Sequence, residues 1–166
     1  QPPSHLVITR VQLSPSELIQ LYNPLDESIN LENIYLVYFS SKRDWNNPSR
    51  VWKLPNRTIN AHSYFSINVF NFSGADWNLL TKKGKPYSLP QLNDLKGSVG
   101  IFLFNPKNQD IEKVKESKID VVGWGTTKVY EGEPFPIKKN VKVIERKIAW
   151  FDTDNNKNDF IGIEKP

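Results

Sequence analysis

An antiparallel β-sandwich is the fold class this sequence predicts. Three observations predict it: short runs in which apolar and polar residues alternate with period two, turn chemistry in the links between those runs, and the lack of a sustained helical period. Successive side chains of a strand point to opposite faces, so a period-two run buries one face and wets the other. About eight such runs separated by turns close as two packed sheets. Strands and helices do not alternate here, which argues against a parallel α/β sheet.

The runs follow in order. Residues 5–13 (HLVITRVQL) set Val7, Thr9, Val11 and Leu13 on one face. Residues 17–22 (ELIQLY) set Ile19 and Leu21 on the face shared with Glu17. Residues 34–40 (IYLVYFS) and 98–104 (SVGIFLF) are apolar on both faces, as strands covered on both sides are. Residues 50–54 (RVWKL) are short and mixed, and residues 63–69 (SYFSINV) group Phe65, Ile67 and Val69. Residues 118–124 (KIDVVGW) and 141–147 (VKVIERK) complete the set. All are rich in β-branched and aromatic residues. The links YNPLDES (22–28), LPNRT (54–58) and FNPKNQD (104–110) carry Pro with Asn or Asp, which preset φ and fold back on the local backbone. Two stretches read as short helical turns, GADWNLLTKK (74–83) and IEKVKES (111–117). The tail from about Thr126 is richer in Pro and Lys and is expected to wrap the sandwich.

The 166 residues suit one domain with a sizeable core. Residues 1–4 read as a leader and residues 5–166 as the domain. With no cysteine, the chain has no disulfide, cysteine-based zinc site or thiol nucleophile. No run approaches the ~18 apolar residues of a membrane-spanning helix. No apolar leader stands at the N-terminus, so a signal peptide is expected to have been removed and the protein to lie outside the cell or on its surface. The net charge of +4 is uneven: residues 1–81 carry 6 basic and 6 acidic side chains, residues 82–166 carry 16 and 12. Lys82, Lys83 and Lys85, with Lys138 and Lys139 further on, are the candidate contacts for an anionic polymer or nucleic acid.

The order of the motifs carries a resemblance. HLVITRVQL, ELIQLYNPLDESINLENIYLVY, WKLPNRTINAHSYFSI, LKGSVGIFLFNP, DVVGWG, and VIERK followed by DTDNNKNDF run from about His5 to Phe160. Together they resemble the lamin-tail domain in its prokaryotic, secreted form. That resemblance implies an immunoglobulin-like antiparallel β-sandwich of about eight to ten short strands with at most one or two short helical turns. It implies a non-catalytic binding or positioning module of an exported or cell-surface protein, with a protein or a cell-surface polymer as partner. Two alternatives stand beside it: an accessory domain that directs a hydrolase or nuclease to an anionic polymer, and direct nucleic-acid binding. Residues 70–96 depart from the family as a long inserted connection, and long connections on sandwiches are where specificity tends to sit.

No catalytic residue is indicated. His5 and His62 are the only histidines, and no Gly-x-Ser-x-Gly pattern supports a serine nucleophile. Trp45 and Trp77, in polar connections, and Tyr87 are the candidate ligand-binding aromatics, while Trp124 and Trp150 beside strands read as core. No cofactor is implied apart from calcium. An EF-hand loop starting at Asp152 fails, because its sixth position is Lys157 where glycine is needed and its twelfth is Ile163 where glutamate is needed. A looser oxygen cage from Asp152, Asp154, Asn156 and Asp159 remains open. The preferred reading is a turn whose Asp and Asn side chains cap its own amides, with Phe160 filling an apolar gap and Arg146 meeting a carboxylate.

Overall fold

Each of the eight period-two runs forms a strand in the computed structural model of the chain, which describes residues 4–166. The leader expected at residues 1–4 lies outside the described residues apart from Ser4. The elements follow as β1 (Val7–Gln12), β2 (Glu17–Tyr22), β3 (Ile29–Asn30), β4 (Tyr35–Phe39), β5 (Arg50–Lys53), β6 (Thr58–Ile59), β7 (Tyr64–Phe70), β8 (Trp77–Asn78), β9 (Gly97–Phe102), α1 (Ile111–Ser117), β10 (Lys118–Trp124), β11 (Val143–Arg146), α2 (Asn156–Asp159) and β12 (Phe160–Ile163). The fold is an all-β sandwich. One sheet has six strands in the order β12-β11-β1-β2-β7-β8, the other has four in the order β10-β9-β4-β5, and β3 pairs with β6. All pairs are antiparallel except β7 with β8.

The main core lies between the two sheets. Ile8, Ile19, Leu21 and Ile67 come from the six-stranded sheet, and Leu36, Val99, Ile101, Val122 and Trp124 from the four-stranded one. The four-stranded sheet is covered on its other face as well. There Val37, Phe39, Phe102 and Val121 form a second cluster with Trp45, with Val114 of α1 and with Val129. This second cover is why β4 and β9 are apolar on both faces. α1 starts where the Asp110 carboxylate accepts the Lys113 amide, a helix N-cap.

Two expectations change. Residues 74–83 do not form a helix. Gly74 turns the chain at φ +84°, and Asp76 then ties the segment to β7: its Oδ2 accepts the Ser66 amide at 2.8 Å and its own amide donates to Ser66 Oγ at 3.0 Å. Trp77–Asn78 is thereby held alongside Ile67 and Asn68 as a parallel edge strand. The tail does more than wrap the sandwich, because β11 and β12 extend the six-stranded sheet beyond β1.

Candidate functional site

The long 71–96 connection is fixed by a buried carboxylate. Glu17 lies on the inner face of β2 with Ile19 and Leu21, fully buried, and its two oxygens accept the Gln91 amide at 2.6 Å and the Leu92 amide at 2.8 Å. Burial pushes the Glu17 pKa up to about 7, against the opposing pull of the two amides. Leu79 and Leu92 enter the main core, and Trp124 Nε1 donates to the Asn93 carbonyl at 2.9 Å.

Held this way, the connection leaves a cleft of about 640 Å³ beside β5, within the size range of ligand sites. Arg50, Lys82 and Lys107 line it, and no acidic residue does. Trp52 and Tyr87 also line it. Trp52 Nε1 donates to Tyr87 Oη at 3.0 Å, and the rings meet edge to face with centroids 6.2 Å apart. Tyr87 also borders a second hollow with Phe70 and Phe72.

The structure distributes the sequence-predicted contacts over several places. Lys82, Lys83 and Lys85 stand exposed on one tight turn, closed by the Thr81 amide on the Lys85 carbonyl at 2.8 Å. Of these, Lys82 faces the cleft. Lys138 and Lys139 sit in the link before β11, where Lys139 lines a separate hollow with Asp94 and Lys142. Trp77 packs half-buried on the main core. Trp45 offers no open ring face. It is 7% exposed, set edge-on to Phe102 with centroids 6.4 Å apart, and Lys115 Nζ lies 5.7 Å over its ring. Trp150, expected in the core, is 45% exposed and meets Phe151 edge to face, with centroids 6.0 Å apart. His62 is bonded to Asp26 at 2.8 Å, and His5 lies 3.7 Å from Asp152.

The 152–159 turn is built on its own side chains. Asp152 Oδ1 accepts the Asp154 amide, and the Asp159 carboxylate accepts the Thr153 amide at 2.9 Å and the Thr153 hydroxyl at 2.6 Å. Asn155 caps α2. Asn156 is buried: its Oδ1 accepts the Gly123 and Glu131 amides at 2.9 and 3.0 Å, and its Nδ2 donates to the Val121 carbonyl at 2.8 Å. Phe160 is buried beneath the Arg146 guanidinium, 4.5 Å from its ring centroid. The four oxygen-cage candidates therefore do not converge on one point. Asp152 and Asp159 face Arg146, Asn156 faces β10, and Asp154 is exposed at φ +57°.

Arg146 is the centre of this region. Its Nη2 donates to Asp120 Oδ2 at 2.8 Å, its Nε to the Ile8 carbonyl at 3.0 Å and its Nη1 to the Phe151 carbonyl at 3.1 Å. Asp152 and Asp159 each lie 3.6 Å from Nη1. Glu131 joins from the 125–142 link and pairs with Lys118. Burial, and then the Asp120 charge, push the Glu131 pKa up to about 10 against the pull of Lys118.

No family model matches this chain, and no curated protein matches it significantly.

Several residues of these sites carry no local signal in the sequence. Arg50 opens a strand and Lys107 sits in an Asn-Pro-Lys turn, each isolated from the lysine cluster that composition singles out. Asp120 reads as one polar residue inside an apolar strand, and Glu131 as a loop acid. A charged residue at the inward register of a strand, as Asp120 is beside Val122 and Trp124, is the one available hint of a buried pair.

Proposed function

We propose that this chain is a non-catalytic binding and positioning module of the lamin-tail type, carried by an exported or cell-surface protein, and that it holds an anionic polymer in the cleft beside β5. One observation carries the reading: Arg50, Lys82 and Lys107, from three separate segments, line one cleft that no acidic side chain lines. Converging cations raise the local concentration of an anionic chain and steer its approach. Tyr87 adds a half-buried ring at the same place, against which a sugar or base can stack. The ordered motifs and the all-β sandwich support the lamin-tail reading. In a longer protein, such a module would keep a neighbouring hydrolase or nuclease on its polymer.

The test is a titration at low salt with an acidic polysaccharide, polyphosphate and single-stranded DNA, with a neutral polysaccharide as control. Binding of an anionic polymer but not the neutral one, lost in Arg50→Glu/Lys82→Glu/Lys107→Glu, is the expected result. Binding of none of them overturns the proposal, and which anionic polymer binds best decides between the cell-surface and nucleic-acid readings.

A further inference from the structure

Three carboxylates from three distant segments meet where β10, the 125–142 link and the 152–159 turn converge. Asp120, Glu131 and Asp152 each offer an oxygen, and these oxygens lie within 4.8 Å of one another. That is about the span of two opposite calcium–oxygen bonds of ~2.4 Å each. The approach is built into the fold. Gly132 has φ +65° and presses so closely on Asn155 that an added Cβ would stand 2.8 Å from its side chain. Asn156 then clamps the main chain of Glu131 in both directions: its amide donates to the Glu131 carbonyl at 2.9 Å, and its side chain accepts the Glu131 amide at 3.0 Å.

Two of the three groups are incomplete. Glu131 Oε1 and Asp152 Oδ2 are buried and have no hydrogen-bond partner, and both side chains are nearly inaccessible, at 3% and 2%. The other oxygens are taken: Glu131 Oε2 by Lys118, Asp152 Oδ1 by the Asp154 amide, Asp120 Oδ1 by the Val121 amide, and Asp120 Oδ2 by Arg146 and the Ile8 amide. His5 Nε2, at 3.7 Å from Asp152 Oδ2, is too far for a hydrogen bond. The charges do not balance either. Fully ionised, Asp120, Glu131, Asp152 and Asp159 would carry two negative charges in excess of Arg146 and Lys118, with His5 standing 3.7 Å from Asp152; a proton on Glu131 offsets one of the two. A proton shared between Asp120 and Glu131 leaves Asp152 Oδ2 unmatched.

We propose that Asp120, Glu131 and Asp152 form a binding site for a hard divalent cation of the calcium class. The donors are all oxygen, which selects calcium, magnesium or manganese over softer metals. One divalent ion, displacing the proton from Glu131, matches the excess charge, takes up both orphaned oxygens, and ties the 125–142 link and the 152–159 turn to β10, with water completing its shell. The neighbouring Arg146 and Lys118 oppose a cation, so affinity belongs to the weak extracellular range of about 10⁻⁴–10⁻³ M. This site differs from a cage of Asp152, Asp154, Asn156 and Asp159, and it stands or falls independently of polymer binding.

The test is calorimetric titration of the chain with calcium, magnesium and manganese in turn, with thermal unfolding in millimolar calcium and in chelator. One equivalent of an ion bound, with Tm higher in the ion than in chelator, is the expected result. Glu131→Gln and Asp152→Asn keep the shape, remove one carboxylate ligand each, and are expected to abolish both effects. Their Tm in chelator is expected to match or exceed that of the wild type. Asp154→Asn, outside the site, is expected to bind as the wild type does. The proposal is overturned if the wild type binds none of the three ions at millimolar concentration. It is equally overturned if Glu131→Gln and Asp152→Asn bind as tightly as the wild type, or if Asp154→Asn alone abolishes binding.

Discussion

Arg146 Nη2 donates to Asp120 Oδ2 at 2.8 Å, and the same two side chains clamp Ile8 between them. The Ile8 amide donates to Asp120 Oδ2 at 2.7 Å, and the Ile8 carbonyl accepts from Arg146 Nε at 3.0 Å. The β1–β11 ladder stops at Arg10, and β1 steps through a bulge between Ile8 and Arg10 against β2. Asp120 comes from the four-stranded sheet and Arg146 from the six-stranded one, so the pair straps the sheets together while satisfying a backbone amide and carbonyl that would otherwise be buried unpaired.

Removing one partner of such a pair leaves an uncompensated buried charge. Arg146→Ala is expected to cost about 3–5 kcal/mol in urea unfolding. Arg146→Lys is expected to recover part of that, because one ammonium cannot serve Asp120, Ile8 and Phe151 at once. A loss under ~1 kcal/mol for Arg146→Ala would contradict this account of the strap.

Glu17 makes stability depend on pH with a defined sign. Its folded pKa of about 7 stands above the ordinary 4.5. Between these values the folded protein keeps a proton that the unfolded chain has released, so the contribution is present at low pH and is lost as pH rises through about 7. The slope from this one group reaches at most about 1.4 kcal/mol per pH unit. Unfolding of the wild type and of Glu17→Gln from pH 5 to 8 is expected to show the wild type losing stability relative to the variant as pH rises. Parallel curves would contradict the shift.

Gly125 and Gly84 separate close approach from backbone strain. Both have positive φ, +65° and +76°. A Cβ at Gly125 would stand 2.0 Å from the Leu95 carbonyl oxygen, whereas one at Gly84 meets nothing within 4 Å. Gly84→Ala is expected to cost about 1 kcal/mol from the left-handed conformation alone. Gly125→Ala is expected to cost at least about 3 kcal/mol, as the 71–96 connection is pushed off the sheet. Equal losses in thermal unfolding would contradict the packing of that connection.

Trp45 and Trp150 offer a paired test of burial. Trp45→Ala opens a hole beside Phe102 and is expected to cost about 3–5 kcal/mol. Trp150→Ala, at a half-exposed surface position, is expected to stay within about 0.5 kcal/mol of the wild type. Denaturant midpoints in the reverse order would contradict the assignment of Trp45 to the second cluster.

The central strands were legible because their evidence is local. β4 and β9 are apolar at consecutive positions, and alternation on β2 already placed Glu17 on the face of Ile19 and Leu21. What Glu17 does there was not legible, since its partners are the amides of Gln91 and Leu92 far along the chain. β8 was hidden for a related reason: two residues carry no period, and their conformation is imposed by Asp76 binding Ser66. β12 is four residues with Gly162 among them, and it forms because β11 offers an edge. The acidic turn is legible from the self-capping habit of Asp and Asn, and Arg146 stands beside it, but the nearest carboxylate to Arg146 is Asp120, in a different strand. The cleft could not be read at all, because Arg50, Lys82 and Lys107 meet only after the 71–96 connection folds back.

The most direct test of the proposed role is the salt dependence of anionic-polymer binding. The slope of log K against log salt is to be compared between the wild type, the triple variant Arg50→Glu/Lys82→Glu/Lys107→Glu, and Lys138→Glu/Lys139→Glu. If three cations in the cleft each meet one phosphate of a single strand, the wild-type slope is about −2, at about −0.7 per contact. The account predicts that slope for the wild type, nearly the same slope for the Lys138/Lys139 variant, and loss of binding in the cleft variant. A polymer that binds the cleft variant as tightly as the wild type, with an unchanged slope, would contradict it.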